Sequence, residues 1–346
     1  MDERWRSHGR ALLKSNPAPV PWARMAICAC ATTAPLLVGW WQSHLDAAIF
    51  AALIGYFVSL NDHLGTLLHR LLIAALTFFM ITLGFTAGAL LHGNLAGYLL
   101  AVVVPIYLLG LLGGLGAEAE RMLLFGTISV VVVTHQPLPT PEREALLYGY
   151  ALFAYLTVIV GMILSAGYLR GRSESFVTLR ESVRRIFTAN RERHLYALSF
   201  SAATFAAITI EETLHMERGY WMVVTVMLVL RPDHRESLYR VAHRFVGTAV
   251  GVLAAELLLF AFPYPAFLIG GIGLSAYLLP YALKRNYAVA SFGVSIFVVF
   301  LLALPQEPRV DVQLALTRFQ ATLYGCLLAV IAVGAYRLLR TRVLRT

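Results

Sequence analysis

Long apolar runs are the feature of this sequence that most constrains its fold. Segments such as "AALIGYFVSL" (51–60), "WMVVTVMLVL" (221–230) and "SIFVVFLLAL" (295–304) contain almost no polar residues. The whole chain is 59% hydrophobic and 14% charged, whereas soluble domains carry about 25% charged residues. Because a soluble fold cannot hide this much apolar surface from water, the sequence predicts a membrane protein.

The apolar runs are spaced as membrane helices. A helix needs about 20 mostly apolar residues to cross the hydrocarbon core, and we therefore predict an all-α polytopic membrane protein with about 12 transmembrane helices. The second and eighth runs are short for a full crossing. Either their boundaries are misplaced, or they are tilted partners of neighbouring helices, or they are broken helices in a protein-lined cavity. The predicted helices are 22–41, 46–60, 70–91, 95–116, 119–134, 145–169, 195–214, 219–230, 241–262, 264–283, 286–304 and 313–337.

The basic residues indicate how these helices are oriented. With the N-terminus in the cytoplasm, 24 of the 28 lysines and arginines fall on cytoplasmic segments, as the positive-inside rule requires. This distribution predicts a bacterial-type inner (plasma) membrane protein with both termini cytoplasmic. It also accounts for the net charge of +9 without nucleic acid, for which no binding motif is visible. The polar, basic first twenty residues do not resemble a cleavable signal peptide.

Two polar stretches indicate an internal duplication. "RPDHRESLYRVAHR" (231–244) interrupts the apolar pattern, and "NDHLGTLLHR" (61–70) is a weaker version of it. An offset of 171 aligns their Asp-His pairs, and further along "LLFGTISVVVV" (123–133) resembles "ASFGVSIFVVF" (290–300). We interpret both polar stretches as cytoplasmic turns in two parallel six-helix repeats, with a pathway between the repeats. Chance similarity between apolar runs is the alternative.

The predicted organisation has five parts. A cytoplasmic N-terminal segment (1–21) precedes the first six-helix repeat (22–169), and the second repeat (195–337) is followed by a cytoplasmic tail (338–346). The connecting segment 170–194 places apolar residues on one helical face and arginines on the other. This pattern favours an amphipathic helix along the inner membrane surface, although a linker whose charges only fix the topology would look the same.

The second half resembles a known family. The stretch "GYWMVVTVMLVLRPDHRESLYRVAHRFVGTAVGVLAAE" (219–256) is similar to the aromatic run, polar loop and R-x-x-G-T-x-x-G signature of fusaric-acid-resistance-like (FUSC) membrane proteins. The closing "RFQATLYGCLLA" (318–329) is similar to the last helix of that family. The residues that carry the signature are Trp221, Thr225, Arg244, Gly247, Thr248 and Gly251.

This resemblance implies a role in transport. The family includes aromatic-acid efflux proteins of bacterial inner membranes, and plant malate channels are distant relatives with a similar helical plan. Export or permeation of organic anions is therefore implied, in some members with a periplasmic membrane-fusion partner. Many members carry a sizeable cytoplasmic domain between or after the helix sets, where this chain has only the short segment 171–194.

Several charged residues are candidates for attracting an anion. A ring of positive charge at a cytoplasmic mouth would concentrate anionic substrate, although the positive-inside rule alone would place most of these residues there. Arg244 is the most suggestive, because it begins an apolar glycine-containing helix. Trp221 is predicted either to stack against an aromatic substrate or to belong to the interfacial aromatic belt. The predicted substrate-pathway residues are Arg24, Arg70, Arg121, Arg244, Lys284, Arg285 and Trp221.

Two further charges fall within predicted spans. Charged groups inside a membrane are costly and usually face a cavity or one another. Glu256 and Arg318 lie at similar predicted depths, so we predict either that they pair or that Glu256 exchanges protons during transport. A purely structural pair, or a Glu256 bonded to nearby hydroxyls, is the alternative. His63 and His234 are candidates for sensing pH, because histidine is the side chain whose charge changes near physiological pH, but beside aspartates they are also suited to shaping turns.

Motifs for other functions are lacking in the sequence. There is no phosphate-binding glycine loop, metal-binding histidine pair or nucleophile elbow, and the three cysteines have no zinc spacing. We predict no enzyme activity, cofactor or metal. The expected partners are a small organic anion and membrane lipid. The leading interpretation is a transporter that exports aromatic or other organic anions, with proton coupling as an option. The alternatives are a passive organic-anion channel and a non-transport scaffold for envelope assembly.

Overall fold

The computed structural model is helical throughout the part of the chain that it describes, which is residues 19–63, 65–113, 117–136, 140–167, 184, 187–305 and 312–343. These residues form twelve helices and no strands, which confirms the all-α prediction. Seven helices are long and apolar enough to cross a membrane, so the chain is a multi-pass membrane protein. The helices are α1 (Trp22–Trp41), α2 (Leu45–Leu60), α3 (Leu67–Leu90), α4 (Leu95–Leu112), α5 (Ala117–Thr134), α6 (Pro141–Leu164), α7 (Arg191–Leu214), α8 (Tyr220–Val229), α9 (His234–Ala261), α10 (Pro265–Arg285), α11 (Tyr287–Ala303) and α12 (Val312–Val343).

The charged stretch before the ninth predicted helix is itself mostly helical. We expected a turn over 231–244, but α9 already begins at His234. The Asp233 side chain caps it by accepting a hydrogen bond from the Arg235 backbone N–H at 2.8 Å, and Glu236 pairs with Arg240 one turn later at 2.9 Å. An N-cap and an i,i+4 ion pair both stabilise a helix start, so the polar residues extend the apolar helix by two turns.

The helices run alternately in opposite directions. At one end, Arg121 near the start of α5 donates to the Leu60 carbonyl at the end of α2 (3.1 Å), and Arg340 near the end of α12 pairs with Glu192 at the start of α7 (2.7 Å). We call this the basic end, defined by the loops 61–66 and 230–233. The start of α1 and the end of α12 both lie at the basic end. We call the other end of the bundle the opposite end.

The helix contacts follow a regular order. Within the first six helices, α1 packs on α2, α2 on α6, α3 on α5, and α4 on α5. Within the second six, α7 packs on α8, α8 on α12, α9 on α11, and α10 on α11. The two sets join where α4 packs on α7 and where α10 packs on α1. Four helices, α2, α5, α8 and α11, therefore lie inside a surround of eight.

Exposure separates the inner helices from the outer ones. None of the described large apolar side chains of α2, α5 or α8 is exposed, and α11 exposes only Val289. The outer helices instead carry rows of exposed leucine, valine and phenylalanine, such as Phe79 and Leu83 on α3 and Leu253 and Leu257 on α9. These rows are the surface expected to face lipid. A helix that is apolar on all sides is a buried one, which explains the composition of α2 and α8.

Glycines allow the closest helix approaches. A Cβ at Gly84 would overlap the Gly126 carbonyl oxygen, so α3 and α5 meet at their backbones. A Cβ at Gly251 would lie 2.6 Å from the Phe292 carbonyl oxygen, and α9 and α11 meet in the same way. Glycine at such contacts is typical of membrane helix packing.

One buried ion pair fixes the basic end of the first helix set. Arg70 donates from Nε to Asp62 Oδ1 at 2.7 Å and from a terminal nitrogen to Oδ2 at 2.8 Å. The guanidinium also reaches the Ser165 hydroxyl at the end of α6, at 3.3 Å. The side chains of Arg70 and Asp62 are 1% and 0% exposed. The pair therefore joins the loop after α2 to α3 and α6.

Two of the predicted cytoplasmic segments, 1–21 and 170–194, lie largely outside the described residues. The first eighteen residues and most of the predicted amphipathic segment 170–194 lie outside the described residues. At the other end of the chain, α12 continues to Val343, six residues past its predicted end. Basic side chains near a helix C-terminus interact favourably with the helix dipole, and Arg340 has an acidic partner there.

Candidate functional site

A cavity of about 1370 Å³ lies among the four inner helices. The cavity is lined by α2 from Ala47 to Leu60 and by α5 from Glu118 to the residues just after that helix. It also follows α8 and α11 over most of their lengths. The two short helices predicted from sequence have the expected boundaries, and both line this cavity. Misplaced boundaries are therefore excluded as the reason for their shortness, and both short helices border a protein-lined cavity.

The cavity is strongly basic at one end. Among the described lining residues, eight cations and three acids lie at the basic end, whereas the opposite end carries Asp46, Arg143 and Glu144. A mouth lined by one sign of charge raises the local concentration of ions of the other sign. The cations are Arg24, Arg121, Arg231, Arg235, Arg240, Arg244, Lys284 and Arg285, and the acids are Glu118, Asp233 and Glu236.

Two of the predicted arginines line the cavity with little solvent contact. Arg24 and Arg244 are 6% and 3% exposed. The Nε atom of each has no hydrogen-bond partner among the residues that the structure describes. A buried donor without a partner costs free energy that a bound acceptor would recover. These two guanidinium groups are therefore suited to binding an anion in the cavity.

Three more predicted cations line the basic end. Arg121 is anchored to the Leu60 carbonyl (3.1 Å) and lines the cavity together with Lys284 and Arg285. The Arg285 guanidinium lies over the Tyr281 ring and is within hydrogen-bond distance of its hydroxyl. The five predicted cations of α1, α5, α9 and α10 therefore line one end of the cavity. Their role in attracting an anion stays a prediction.

Arg70 is placed differently from the other predicted members of the ring. It does not line the cavity, and its charge is neutralised by Asp62 in the buried pair described above. The prediction of an anion-attracting role for Arg70 is therefore not supported. Its spacing from Asp62 places the two side chains against each other, and the carboxylate already occupies the position an anion would take.

Stacked aromatic rings occupy the cavity between its two ends. Tyr56 on α2 stacks against Phe297 on α11 with ring centroids 4.6 Å apart. Phe57 stacks against Phe125 on α5, also at 4.6 Å. All four residues line the cavity. An anion that enters from the basic end meets an aromatic surface next, which suits a ligand that has both a carboxylate and an apolar ring.

Trp221 lies at the start of α8 and lines the cavity near the opposite end. The Arg318 guanidinium, from α12, lies 4.2 Å from the Trp221 ring centroid, a cation–π geometry. Arg318 is 1% exposed. The predicted Glu256–Arg318 pair and the predicted proton exchange at Glu256 stay predictions, and the structure adds Trp221 as a neighbour of Arg318.

The sequence did not indicate several of the lining residues. Tyr56, Phe57, Phe125 and Phe297 lie in helices that are apolar on every side, so periodicity gives no sign of which face meets the cavity. The only usable signal was the shortness of α2 and α8. The sequence prediction places Arg231 and Arg240 in a turn. Arg231 does lie in the loop before α9, whereas Arg240 lies in the second turn of α9, and both line the cavity mouth.

His63 is held in its neutral form at the basic end. Burial lowers its pKa to about 4, and the positive charges of Arg121, Arg24 and Lys284 act in the same direction. Its Nδ1 lies 2.7 Å from the Asn61 carbonyl oxygen. A carbonyl only accepts, so Nδ1 carries the proton and the ring holds the turn after α2. This contact supports a turn-shaping role for His63.

We expect His63 to make the folded protein sensitive to acid. Its pKa is lower in the folded chain than the ordinary value near 6.5, so the unfolded chain binds the proton first. The stability contribution of neutral His63 is therefore full above pH 6.5 and declines as the pH falls towards about 4. Thermal unfolding in detergent at pH 7.5, 6 and 5 should give a smaller acid-induced loss for His63→Gln than for the wild type. His44→Gln, at an exposed histidine, is the matched control, and parallel pH dependence in the wild type and His63→Gln would contradict the prediction.

Comparison with known proteins supports the predicted resemblance. Residues 205–332 match the family model described as fusaric acid resistance protein-like. This range includes the whole of the stretch 219–256 with its signature and the whole of the closing stretch 318–329, so the predicted resemblance is confirmed. No solved structure matches the chain.

The curated relatives are themselves uncharacterised. An uncharacterised protein of Synechocystis is 31% identical over 136 residues, which cover 39% of this chain and 18% of that protein. The uncharacterised protein YhfK of Escherichia coli is 35% identical over 122 residues, which cover 34% of this chain and 16% of that protein. The matched region thus spans less than a fifth of either relative.

Proposed function

We propose that this chain, whose residues 205–332 match the fusaric acid resistance protein-like family model, is an inner-membrane transporter of aromatic or other organic anions. The observation that carries the proposal is the cavity whose lining runs between both ends of the bundle, basic at one end and aromatic in between. Export, with the basic end in the cytoplasm, is the direction that the positive-inside distribution and the family resemblance favour. The proposal gives the chain no catalytic chemistry of its own.

The helix contacts support a two-repeat architecture for this transporter. Each of the four contacts named above for the first helix set has a counterpart six helices later, such as α3 on α5 and α9 on α11. The contacts between the sets correspond as well, since α4 on α7 matches α10 on α1. We therefore propose two parallel six-helix repeats, with the substrate pathway at their interface.

A flux assay tests the proposed function. The purified chain is reconstituted into liposomes loaded with a panel of aromatic carboxylates, and neutral aromatic alcohols of similar size serve as the comparison. We expect saturable efflux of one or more carboxylates and no protein-dependent efflux of the alcohols. Equal rates for carboxylates and alcohols, or no flux of any anion, would contradict the proposal and favour the scaffold alternative.

The buried arginine Arg244 should carry a large part of this activity. We expect Arg244→Gln to reduce carboxylate flux at least tenfold, because it removes a desolvated charge from the cavity wall. Arg244→Lys keeps the charge and should retain more flux than Arg244→Gln. Arg337→Gln, at an exposed arginine that does not line the cavity, is the matched control. Gel-filtration profiles of each variant check folding, and unchanged flux in a folded Arg244→Gln protein would exclude the predicted role.

The stacked aromatic pairs favour a transporter over a permanently open channel. Tyr56 and Phe297, which form one of these pairs, are almost fully buried although they line the cavity, so permeation requires these rings to separate. Counterflow distinguishes the two alternatives, since a carrier accelerates labelled uptake when unlabelled substrate is present on the other side. A steady selective current in a planar bilayer would instead favour the passive channel.

The family resemblance also supports a partner for this transporter, a periplasmic membrane-fusion protein.

A further inference from the structure

A histidine and a glutamate meet at the opposite end of the bundle, away from the basic mouth. His135 directly follows α5, and Glu211 lies in the last turn of α7. His135 Nε2 is 3.1 Å from Glu211 Oε1. The imidazole lies between two tyrosine rings, with Tyr98 edge-on at 5.4 Å and Tyr220 stacked at 5.5 Å. Four helices, α4, α5, α7 and α8, therefore contribute to one site.

The contacts of His135 favour a proton held between the two side chains. His135 Nδ1 is 2.8 Å from the Val131 carbonyl oxygen, which only accepts, so Nδ1 carries a hydrogen. The contact between Nε2 and Glu211 then needs a second proton, either on the imidazole or on the carboxyl group. Without it, an imidazole lone pair would face a carboxylate. Two ionisable groups that share a proton in this way titrate as a pair.

The site is closed on one side and open on the other. The Glu211 side chain is 5% exposed, whereas that of His135 is 22% exposed. A proton from the solution at the opposite end can therefore reach the imidazole first and the carboxyl group second. Loss of that proton would leave the Glu211 carboxylate desolvated without a positive partner, which is costly.

The surrounding charges favour the protonated pair. Burial lowers the pKa of His135, but its hydrogen bond to Glu211 and the charge of Glu211 outweigh burial, and the pKa is raised. The other titratable groups that face the site are Glu212 from α7, Tyr98 from α4 and Tyr220 from α8. His92, after α3, contacts the neighbouring Thr134 carbonyl at 2.8 Å. Arg218 and Arg318 act electrostatically on Tyr220.

One helix connects the site to the cavity. Tyr220 stacks on His135, and both Tyr220 and the next residue, Trp221, line the cavity at the start of α8. Trp221 in turn lies under the Arg318 guanidinium. A change of charge at the His135–Glu211 pair therefore acts on the same short helix that borders the substrate pathway.

From this geometry we propose that His135 and Glu211 form the proton-binding site that couples anion movement to the proton gradient. The site takes one proton from water at the opposite end and returns it to water when the pair separates, and no other bond is made or broken. This inference rests on the proposed function. It places proton coupling at the His135–Glu211 pair, between α5 and α7, whereas the sequence suggested Glu256.

The test compares two modes of transport in liposomes that contain the full chain. Carboxylate exchange at equal pH on both sides measures anion movement alone, and accumulation driven by a pH gradient measures coupling. We expect Glu211→Gln to retain exchange within about twofold and to lose gradient-driven accumulation at least tenfold, together with proton movement reported by a trapped pH dye. Glu217→Gln, at an exposed position in the loop after α7, should behave as the wild type. Glu256→Gln, tested alongside, reports on the alternative site.

The outcomes separate this inference from the function on which it rests. Absence of both exchange and accumulation in the wild type would overturn the proposed function itself. Exchange without gradient-driven accumulation in the wild type would overturn only the proton site, as would gradient-driven accumulation that survives in Glu211→Gln. If Glu211→Gln does not fold, His135→Gln provides the same comparison, and coupling that persists in this variant would overturn the proposal.

Discussion

Replacing Asp62 by asparagine should lower the free energy of unfolding by about 3–5 kcal/mol, the usual cost of removing one partner from a buried ion pair. Arg70 is almost fully buried, and its two shortest hydrogen bonds, at 2.7 and 2.8 Å, are donated to the Asp62 carboxylate. The variant leaves its guanidinium charge without a counter-charge at that position. Equilibrium unfolding of the purified protein in detergent micelles, followed by helical circular dichroism, measures the change.

Two variants make this prediction specific to the buried pair. The double variant Asp62→Leu/Arg70→Met removes both charges, so it should recover more than half of the loss, because apolar replacement of a whole buried pair is often neutral. Asp46→Asn breaks the Arg143–Asp46 pair, whose side chains are 65% and 43% exposed, and should change the stability by less than about 1 kcal/mol. Similar losses in Asp62→Asn and Asp46→Asn would contradict the argument from burial.

Alanine at Gly84 should destabilise the packing of α3 against α5. The added Cβ would overlap the Gly126 carbonyl oxygen and lie 3.1 Å from the Ser129 side chain. Neither helix backbone can yield without moving α3 away from α5, so we expect a loss of about 1–3 kcal/mol from overpacking. Because α5 lines the cavity, carboxylate flux should fall together with stability.

A second glycine provides the control for this substitution. Gly149 lies on α6, and a Cβ there would meet nothing within 4 Å. Gly149→Ala should therefore leave the stability unchanged or raise it slightly, since alanine is the better helix former by about 1 kcal/mol. Measurements in the same detergent compare the two variants directly. Equal effects at Gly84 and Gly149 would mean that backbone contact between α3 and α5 does not determine the result.

The helices were predictable because a membrane helix is visible in the sequence as a long apolar run. Apolar length fixed α2 and α8 to within a residue at each end. The largest errors occur where polar residues continue a helix beyond its apolar run, as at the start of α9 after Asp233 and at Arg340 in α12. The sixth helix instead ends at Leu164, five residues before its predicted end. Capping and ion pairing stabilise those turns, and a hydropathy pattern does not contain that information.

The site was less predictable, because it depends on the direction in which each side chain points. Arg244 and Arg70 look alike in the sequence, each a basic residue close to the start of an apolar helix. The structure separates them, since Arg244 lines the cavity whereas Arg70 is bound to Asp62. His135 and Glu211 are 76 positions apart, and nothing in a single sequence places them in contact. Both cases depend on tertiary packing between helices that have no distinct polar face.

The shortness of α8 has an electrical consequence. Its ten residues span about 15 Å at 1.5 Å per residue, about half of the roughly 30 Å hydrocarbon core. Polar and charged side chains line the cavity beyond both ends of α8, so the transmembrane voltage should fall mainly across the aromatic stretch between them. A monovalent anion that passes Tyr56 and Phe297 would then gain or lose most of about 2.3 kcal/mol per 100 mV within that short distance. We expect the step past these rings to be the voltage-dependent one.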